Sequence, residues 1–365
     1  RLLVLVRGAL ILRSSICSGR VRIRRKMEIR PATEDEVRNA HAEGRTLSHV
    51  RLALSMTSCI TDSEMHENFY ATLERGFTPI NDYLGAFEGP CSVVGSAPSI
   101  KETHKELVGD VIAINSAIGY LLDKGIVPKW GVLWDGTEIV KNFAIPHRDI
   151  TYLVASRCHP EVFKRLEGCK VVVWHAAGDH DIVEVMKRPE VMAKMTSQPL
   201  ICGGSAGVTR TIYLASVLGY KDIHIFGADS CYSKAGETHI NGSLVHEKDV
   251  MISIGNNTEG CPAIWYRTTP ELCAQVNEYR SIFAMTVCGM LAALTHKSVY
   301  VLQINLHVHG ESLFKEMHDR LTEQRKALGD ERFIEAIRVQ QEEQSKLDEE
   351  ALKVCEEAEK KKAVN

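Results

Sequence analysis

The sequence has no Cys-x-x-Cys pair among its 11 cysteines, no Walker-type Gly-Lys-Ser/Thr loop, no internal repeat and no Pro- or Gly-rich linker. Scattered cysteines in a chain of 365 residues do not make a disulfide framework. Cys91, Cys169 and Cys288 lie inside apolar runs, where a reduced thiol behaves as a small hydrophobe, so a reducing, cytoplasmic compartment is expected. No apolar run approaches the ~20 residues of a membrane helix. The longest, Ile282–Leu294, has 13 and reads as a buried helix. Charge of one sign is lacking too: 44 Lys+Arg against 47 Asp+Glu leave a net charge of -3, with no basic excess to neutralise a nucleic-acid backbone.

What is present is ordinary globular composition, 44% hydrophobic and 25% charged, enough for a sizeable core. Residues 1–26 stand apart, with eight Arg/Lys, no acid and Met27 immediately after. They suit either a basic targeting peptide or an upstream remnant, and are expected to be a non-native leader outside the fold. Residues 27–88 read as a helical cap, opened by the capping-box spacing Thr33-Glu34-Asp35-Glu36. Residues 89–310 alternate β-rich runs with helical ones. The runs are Cys91–Val94, Val111–Ile114, Trp130–Trp134, Thr151–Val154, Lys170–Trp174, Asp222–Phe226 and Val299–Ile304; the helices are Ala117–Lys124, Glu161–Leu166, Ala206–Leu218 and Leu272–Leu294. Such alternation predicts an α/β, Rossmann-like, largely parallel doubly wound sheet. Asp229–Thr269 interrupts it with polar, Gly-rich sequence, the mark of a functional loop or a small inserted substructure. Residues 311–365 form a charged helical tail, expected to be solvated; Leu347 and Leu352 do not sustain a heptad seam, though self-association through this helix is open.

Ligands of open parallel sheets bind beyond the carboxyl ends of the strands. There the sequence sets Gly95-Ser96-Ala97-Pro98-Ser99, Asn115-Ser116, Asp135-Gly136, His175 and Gly227-Ala228-Asp229, with Gly203-Gly204-Ser205 opening a helix. The backbone N–H groups of Gly95–Ser99 are expected to cradle an anion, and Ser205 to cap the helix as an anionic group meets its positive end. Asp135 and Asp229 are the candidate carboxylates for catalysis and for Mg²⁺. His239 and His246, in the long loop with Glu247, are candidate general bases, and the loop a lid over the acceptor. His175 and His180 are expected to line the same pocket. His307 and His309 alternate at a strand end and can ligate metal, with no third ligand adjacent in sequence.

Taken in order, Val93-Val94-Gly95-Ser96-Ala97-Pro98-Ser99, Ile114-Asn115-Ser116-Ala117, Gly125–Pro128 leading to Asp135, Gly203–Gly207, Leu218–Ile223 and Gly227–Asp229 with His239 downstream resemble the MptE-like family. That family takes its name from an archaeal 6-hydroxymethyl-7,8-dihydropterin diphosphokinase and includes the Maf glycosyltransferases. The likeness spans about 89–246; Ala97 departs from it, standing where the family usually has a second Gly. The resemblance implies a transferase with a nucleotide-phosphate donor, either ATP with Mg²⁺ or a nucleotide-sugar, and an unidentified acceptor. The loop also looks like that of bacterial sialyltransferases, a similarity that implies nucleotide contact by Asn115 and proton removal by His239 or His246. A non-catalytic nucleotide-binding module is the third reading.

Overall fold

The computed structural model describes residues 2–4, 60–176, 188–189, 191, 199–201, 203–204, 206–242, 250–254, 264–295 and 303–339. The first described helix, α1 (Asp62–Arg75), begins with a capping box in which Thr61 and Glu64 satisfy each other's backbone N–H groups. The expected box at Thr33–Glu36 lies outside the described residues.

The main sheet comprises β1 (Thr78–Pro79), β2 (Pro90–Val94), β3 (Asp110–Ile114), β4 (Trp130–Leu133), β5 (Thr151–Ala155), β6 (Lys170–Ala176), β7 (Leu200–Ile201), β8 (Asp222–Phe226) and β9 (Asn305–Val308). Every pairing is parallel, in the order β9-β8-β2-β3-β4-β5-β6-β1, with β7 also on β6. Cys91, Val93, Val132 and Leu153 are wholly buried, as strands covered on both faces require. The last described strand is Asn305–Val308; of the expected Val299–Ile304, residues 299–302 lie outside the described residues. Alternation marks it: Leu306 and Val308 enter the core while Asn305 and His307 face out, a half-buried edge that a search for continuous apolar runs passes over.

The described helices between strands are α2 (Ile100–Thr103), α3 (Ala117–Asp123), α4 (Pro160–Arg165), α5 (Gly207–Leu218) and α6 (Pro270–Thr295), followed by α7 (Leu313–Leu328). No described helix is long and apolar enough to cross a membrane. At the amino edge of the sheet the Trp130 indole N–H donates to the Tyr220 hydroxyl (3.0 Å), which donates to Asp110 (2.5 Å), closing that end with satisfied polar groups.

Two expectations change. Within 229–269, Val250–Ile254 and Ile264–Thr268 pair as an antiparallel hairpin, the small inserted substructure expected as one alternative, and Leu2–Val4 joins its edge, so part of the leader expected outside the fold pairs with this insert. The start of the charged tail is not a solvated helix. Leu313, Phe314, Met317 and Leu321 recur at helical spacing and are buried, as are Phe333 and Ile337 in the helical segment 330–339. Phe314 packs on Tyr279 (4.3 Å between centroids) and Phe333 on Phe283 (5.8 Å), which seats the segment on α6. The charged majority of its composition masks that stripe.

Between these helices the Tyr279 hydroxyl lies 2.6 Å from His318 Nδ1, and burial pushes the His318 imidazole down to about 4. The unfolded chain takes up this proton near the ordinary histidine value of ~6.5, which the folded chain resists until about 4. Stability is therefore full above ~6.5 and falls as pH drops through that window, by up to ~1.4 kcal/mol per pH unit at its steepest. Denaturant titrations from pH 7 to 4 should show a shallower acid-side decline for His318→Gln, whose amide oxygen still accepts from Tyr279, than for the parent.

Candidate active site

The strand order reverses between β2 and β8: from β2 the chain runs outward through β3, β4, β5 and β6, then returns to β8 on the other side of β2. Such a switch point opens a crevice beyond the carboxyl ends of the two strands. Here those ends carry Gly95–Ser99 and Gly227–Asp229.

The two turns are in backbone contact. The Gly95 N–H donates to the Phe226 carbonyl (2.9 Å) and the Ala97 N–H to the Gly227 carbonyl (3.0 Å). A Cβ on Gly95 would stand 2.4 Å from the Gly227 oxygen, and one on Gly227 2.4 Å from the Gly95 oxygen. Asp229 then clamps the far end of the loop. Its Oδ2 accepts from the Ser99 N–H (2.9 Å) and its Oδ1 from the Ser99 hydroxyl. It is 5% exposed, and burial pushes its carboxyl up against the opposing pull of those two bonds. The expected cradle is therefore largely spent inside the protein. Three of its N–H groups serve β8 and its turn and Pro98 has none, which leaves a ligand the N–H and hydroxyl of Ser96. Ala97 has no positive φ, so the missing second glycine costs the loop nothing.

α5 meets the same edge. A Cβ on Gly95 would come within 2.7 Å of Val208, and one on Gly207 within 3.1 Å of Ile114, so the first turn of α5 lies beside the ends of β2 and β3. Its cap position is Ala206, with no side-chain cap, rather than Ser205, which lies outside the described residues. Gly204 is required by crowding: a Cβ there would meet Thr209 Oγ1 at 2.1 Å and Glu278 at 2.5 Å. Gly203 has φ +149 and sits over Tyr213 and Arg210.

Asn115, at the end of β3, adopts φ 47, and its side-chain Oδ1 is buried without a hydrogen-bond partner. A left-handed non-glycine residue costs about 1–3 kcal/mol and an orphaned buried acceptor about as much again; such defects persist chiefly at ligand sites. Ser116 caps α3 by position, without a side-chain bond.

Asp135, half-buried after β4, accepts the Thr137 N–H on Oδ1 (3.0 Å), an Asx turn. As a Mg²⁺ site the two aspartates differ: Asp229 has both oxygens committed to Ser99, whereas Asp135 has no second protein bond among the described residues. One carboxylate, with water and ligand phosphates, suffices for Mg²⁺; a site built on both does not fit this geometry. His239 is half-buried beside the loop, since the Ile240 N–H donates to the Ser96 carbonyl (2.8 Å), and its Nδ1 lies 3.1 Å from the Thr238 hydroxyl. His246, Glu247 and His180 lie outside the described residues. His175 does not line the crevice. It is inside β6, fully buried, edge-on to Phe69 and Phe77.

Sequence reading passed over two arginines. Arg157, after β5, and Arg210, in the first turn of α5, are 7% and 4% exposed, each with its guanidinium 4.8 Å from the centre of the Trp134 ring. Buried arginines are rare unless held by an acceptor or an anion; the hint in sequence was an Arg as the one charged residue of Gly207–Leu218. α1 roofs this side: the buried Asn68 amide donates to the carbonyls of Gly136 (3.1 Å) and Arg157 (3.0 Å), and the Thr72 hydroxyl lies 3.0 Å from the Ser156 carbonyl. Gly95→Ala should cost at least ~2 kcal/mol in denaturant unfolding, because backbone on one side and Val208 on the other cannot both yield.

Against known proteins, the model of the family described as "6-hydroxymethylpterin diphosphokinase MptE-like" matches residues 63–235, from α1 through the turn after Asp229. No curated protein matches. Among solved structures, that of a MAf glycosyltransferase from Magnetospirillum magneticum AMB-1 is similar at 15% identity and a TM-score of 0.40, over 83% of this chain and 45% of that one. The chain thus spans less than half the length of that protein. The part of the chain that is similar to the MptE-like family, residues 63–235, holds the switch point and both of its turns.

Proposed function

We propose that the chain is a transferase that takes a diphosphoryl group from ATP and passes it to a hydroxyl acceptor, as the MptE-like description suggests. The observation that carries nucleotide binding is Asn115, held in a strained conformation with a buried acceptor awaiting a donor such as a ribose hydroxyl or an exocyclic amine. The first turn of α5, the Ser96 N–H, Arg157 and Arg210 supply positive potential for phosphates. Asp135 is the residue that would hold a Mg²⁺, which would neutralise charge developing on the phosphates. His239, next to the Ser96 loop, accepts the proton of the acceptor hydroxyl as its oxygen bonds to the β-phosphorus and AMP departs. Catalysis of this type rests on positioning and charge stabilisation.

A glycosyl transfer from a nucleotide-sugar, which needs no metal, is the second reading, favoured by one observation: both oxygens of Asp229 are committed to Ser99, so of the two candidate aspartates only Asp135 could serve a metal. Thermal-shift measurements with ATP, CTP and nucleotide-sugars, each with and without Mg²⁺, separate the two. Stabilisation by ATP that needs Mg²⁺ supports the first reading; stabilisation by a nucleotide-sugar in EDTA supports the second; no shift with any nucleotide refutes both.

Asn115→Gly keeps the left-handed backbone at lower strain and removes the amide. It should leave unfolding stability unchanged or raised while weakening nucleotide binding about tenfold, the worth of one good hydrogen bond. His239→Ala should lower turnover by ~10²-fold or more with nucleotide affinity unchanged, since a base acts on the acceptor. Equal rates for that variant and the parent would remove the base.

A further inference from the structure

A second cluster of chemical side chains lies along the β8–β9 border, apart from the crevice. Strand alternation sets Asp222 and His224 on the less buried face of β8, and parallel register places Asn305 beside Asp222 and His307 beside His224. The His224 and His307 rings stack at 4.4 Å, nearly parallel at 16°. His307 Nε2 lies 2.8 Å from Asp222 Oδ1 and His224 Nε2 lies 3.6 Å from Asp222 Oδ2. One ligand atom from each of the three residues falls within 4.8 Å of the others, and among the described residues no other group of three His, Cys, Asp or Glu side chains does so. In a tetrahedral zinc site, with bonds of about 2.0–2.1 Å, neighbouring ligand atoms stand ~3.4 Å apart. The distances here bracket that spacing.

The surrounding bonds orient the ligands. His224 Nδ1 lies 2.9 Å from His309 Nε2, and His309 Nδ1 lies 3.7 Å from Glu106. A proton on His309 Nδ1 faces the Glu106 carboxylate favourably, whereas a lone pair there would be repelled. His309 Nε2 is then the acceptor, His224 Nδ1 the donor, and His224 Nε2 carries a lone pair directed toward the Asp222 carboxylate. Two acceptors facing each other at 3.6 Å call for a cation between them. Metal-ligating imidazoles are fixed in one tautomer by an acceptor on the other ring nitrogen, the place His309 takes here.

We infer that Asp222, His224 and His307 bind one Zn²⁺ or similar borderline divalent cation, with His309 and Glu106 orienting His224 and one coordination position left to water. The residue types fit: two imidazoles and a carboxylate suit zinc, cobalt or nickel rather than Mg²⁺ or Ca²⁺, which prefer all-oxygen shells. The ion sits on the outward face of an edge strand and ties β9 to β8. β9 runs on through His309, stacked on Phe226 at 4.1 Å, to Gly310, whose Cβ, were it present, would stand 2.8 Å from Ser99. The pin therefore backs the Ser99 end of the crevice loop without entering the crevice.

The test uses the full chain stripped with EDTA, desalted, and titrated with Co²⁺ and then Zn²⁺. Expected are one tight equivalent of Co²⁺ with the visible absorption of a four-coordinate N/O site, its displacement by Zn²⁺, and a rise in Tm with Zn²⁺. His307→Ala removes an exposed edge side chain and Asp222→Asn is isosteric, so both should keep the parent's circular dichroism. Each should lose the visible band and weaken Co²⁺ binding at least tenfold, while His147→Ala, at a partly buried histidine elsewhere, changes neither. Identical spectra and affinities in the parent, His307→Ala and Asp222→Asn, or no tight equivalent in the parent, would overturn the site.

Discussion

The structure turns on the contact between two turns at the switch point. Gly95 and Gly227 bring their backbones close enough that neither tolerates a side chain, and Asp229 reaches across to hold Ser99 by its N–H and its hydroxyl. β2 and β8 are thus joined beyond the sheet as well as within it. The carboxylate is affordable in the interior because both of its oxygens accept hydrogen bonds. Around this clamp the other parts find their places. α5 packs its first turn on Gly95 and Ile114, Ile240 bonds to Ser96, Gly310 rests on Ser99, and the Phe314 N–H donates to the Asp229 carbonyl (3.2 Å).

A clamp that consumes most of the loop's own donors leaves few of them facing the crevice. Three N–H groups and the Asp229 carboxylate are spent on rigidity, and the positive potential near this edge lies outside the loop, at the uncapped start of α5 and at Arg157 and Arg210. The strain is likewise displaced. Besides Asn115, the described residue with a left-handed non-glycine backbone is Ser230, immediately after Asp229, held by bonds to Gln275 (2.9 Å) and Thr268 (2.7 Å). One strained residue directly follows the clamp and the other, with a buried unpartnered acceptor, ends β3.

The periphery serves the same crevice from two sides. α1 covers the ends of β4 and β5 through Asn68 and Thr72, whose polar atoms satisfy the carbonyls of Gly136, Arg157 and Ser156, groups that water would otherwise solvate. On the opposite side the first turns of the charged tail pack on α6 and on the exit of β9. The segments that looked most peripheral in composition thus brace the two flanks of the switch point.

Much of this was legible in sequence because it is local. Apolar runs ending in Gly, Asn or Asp mark strand ends, and in a parallel sheet all strand ends fall on one edge, so Gly95, Asn115, Asp135, Gly204 and Asp229 could be collected there from their spacing alone. Which of those groups face a ligand was decided by tertiary structure. A hydrogen bond across 130 residues turned Asp229 from a free carboxylate into a clamp, and register placed His224 beside His307, separated in sequence but adjacent on two strands. Arg157 and Arg210 escaped notice for the same reason, since a buried cation and an exposed one are spelled alike. Sequence fixes which groups exist and which edge they reach; only the packed chain fixes which of their donors and acceptors are already used.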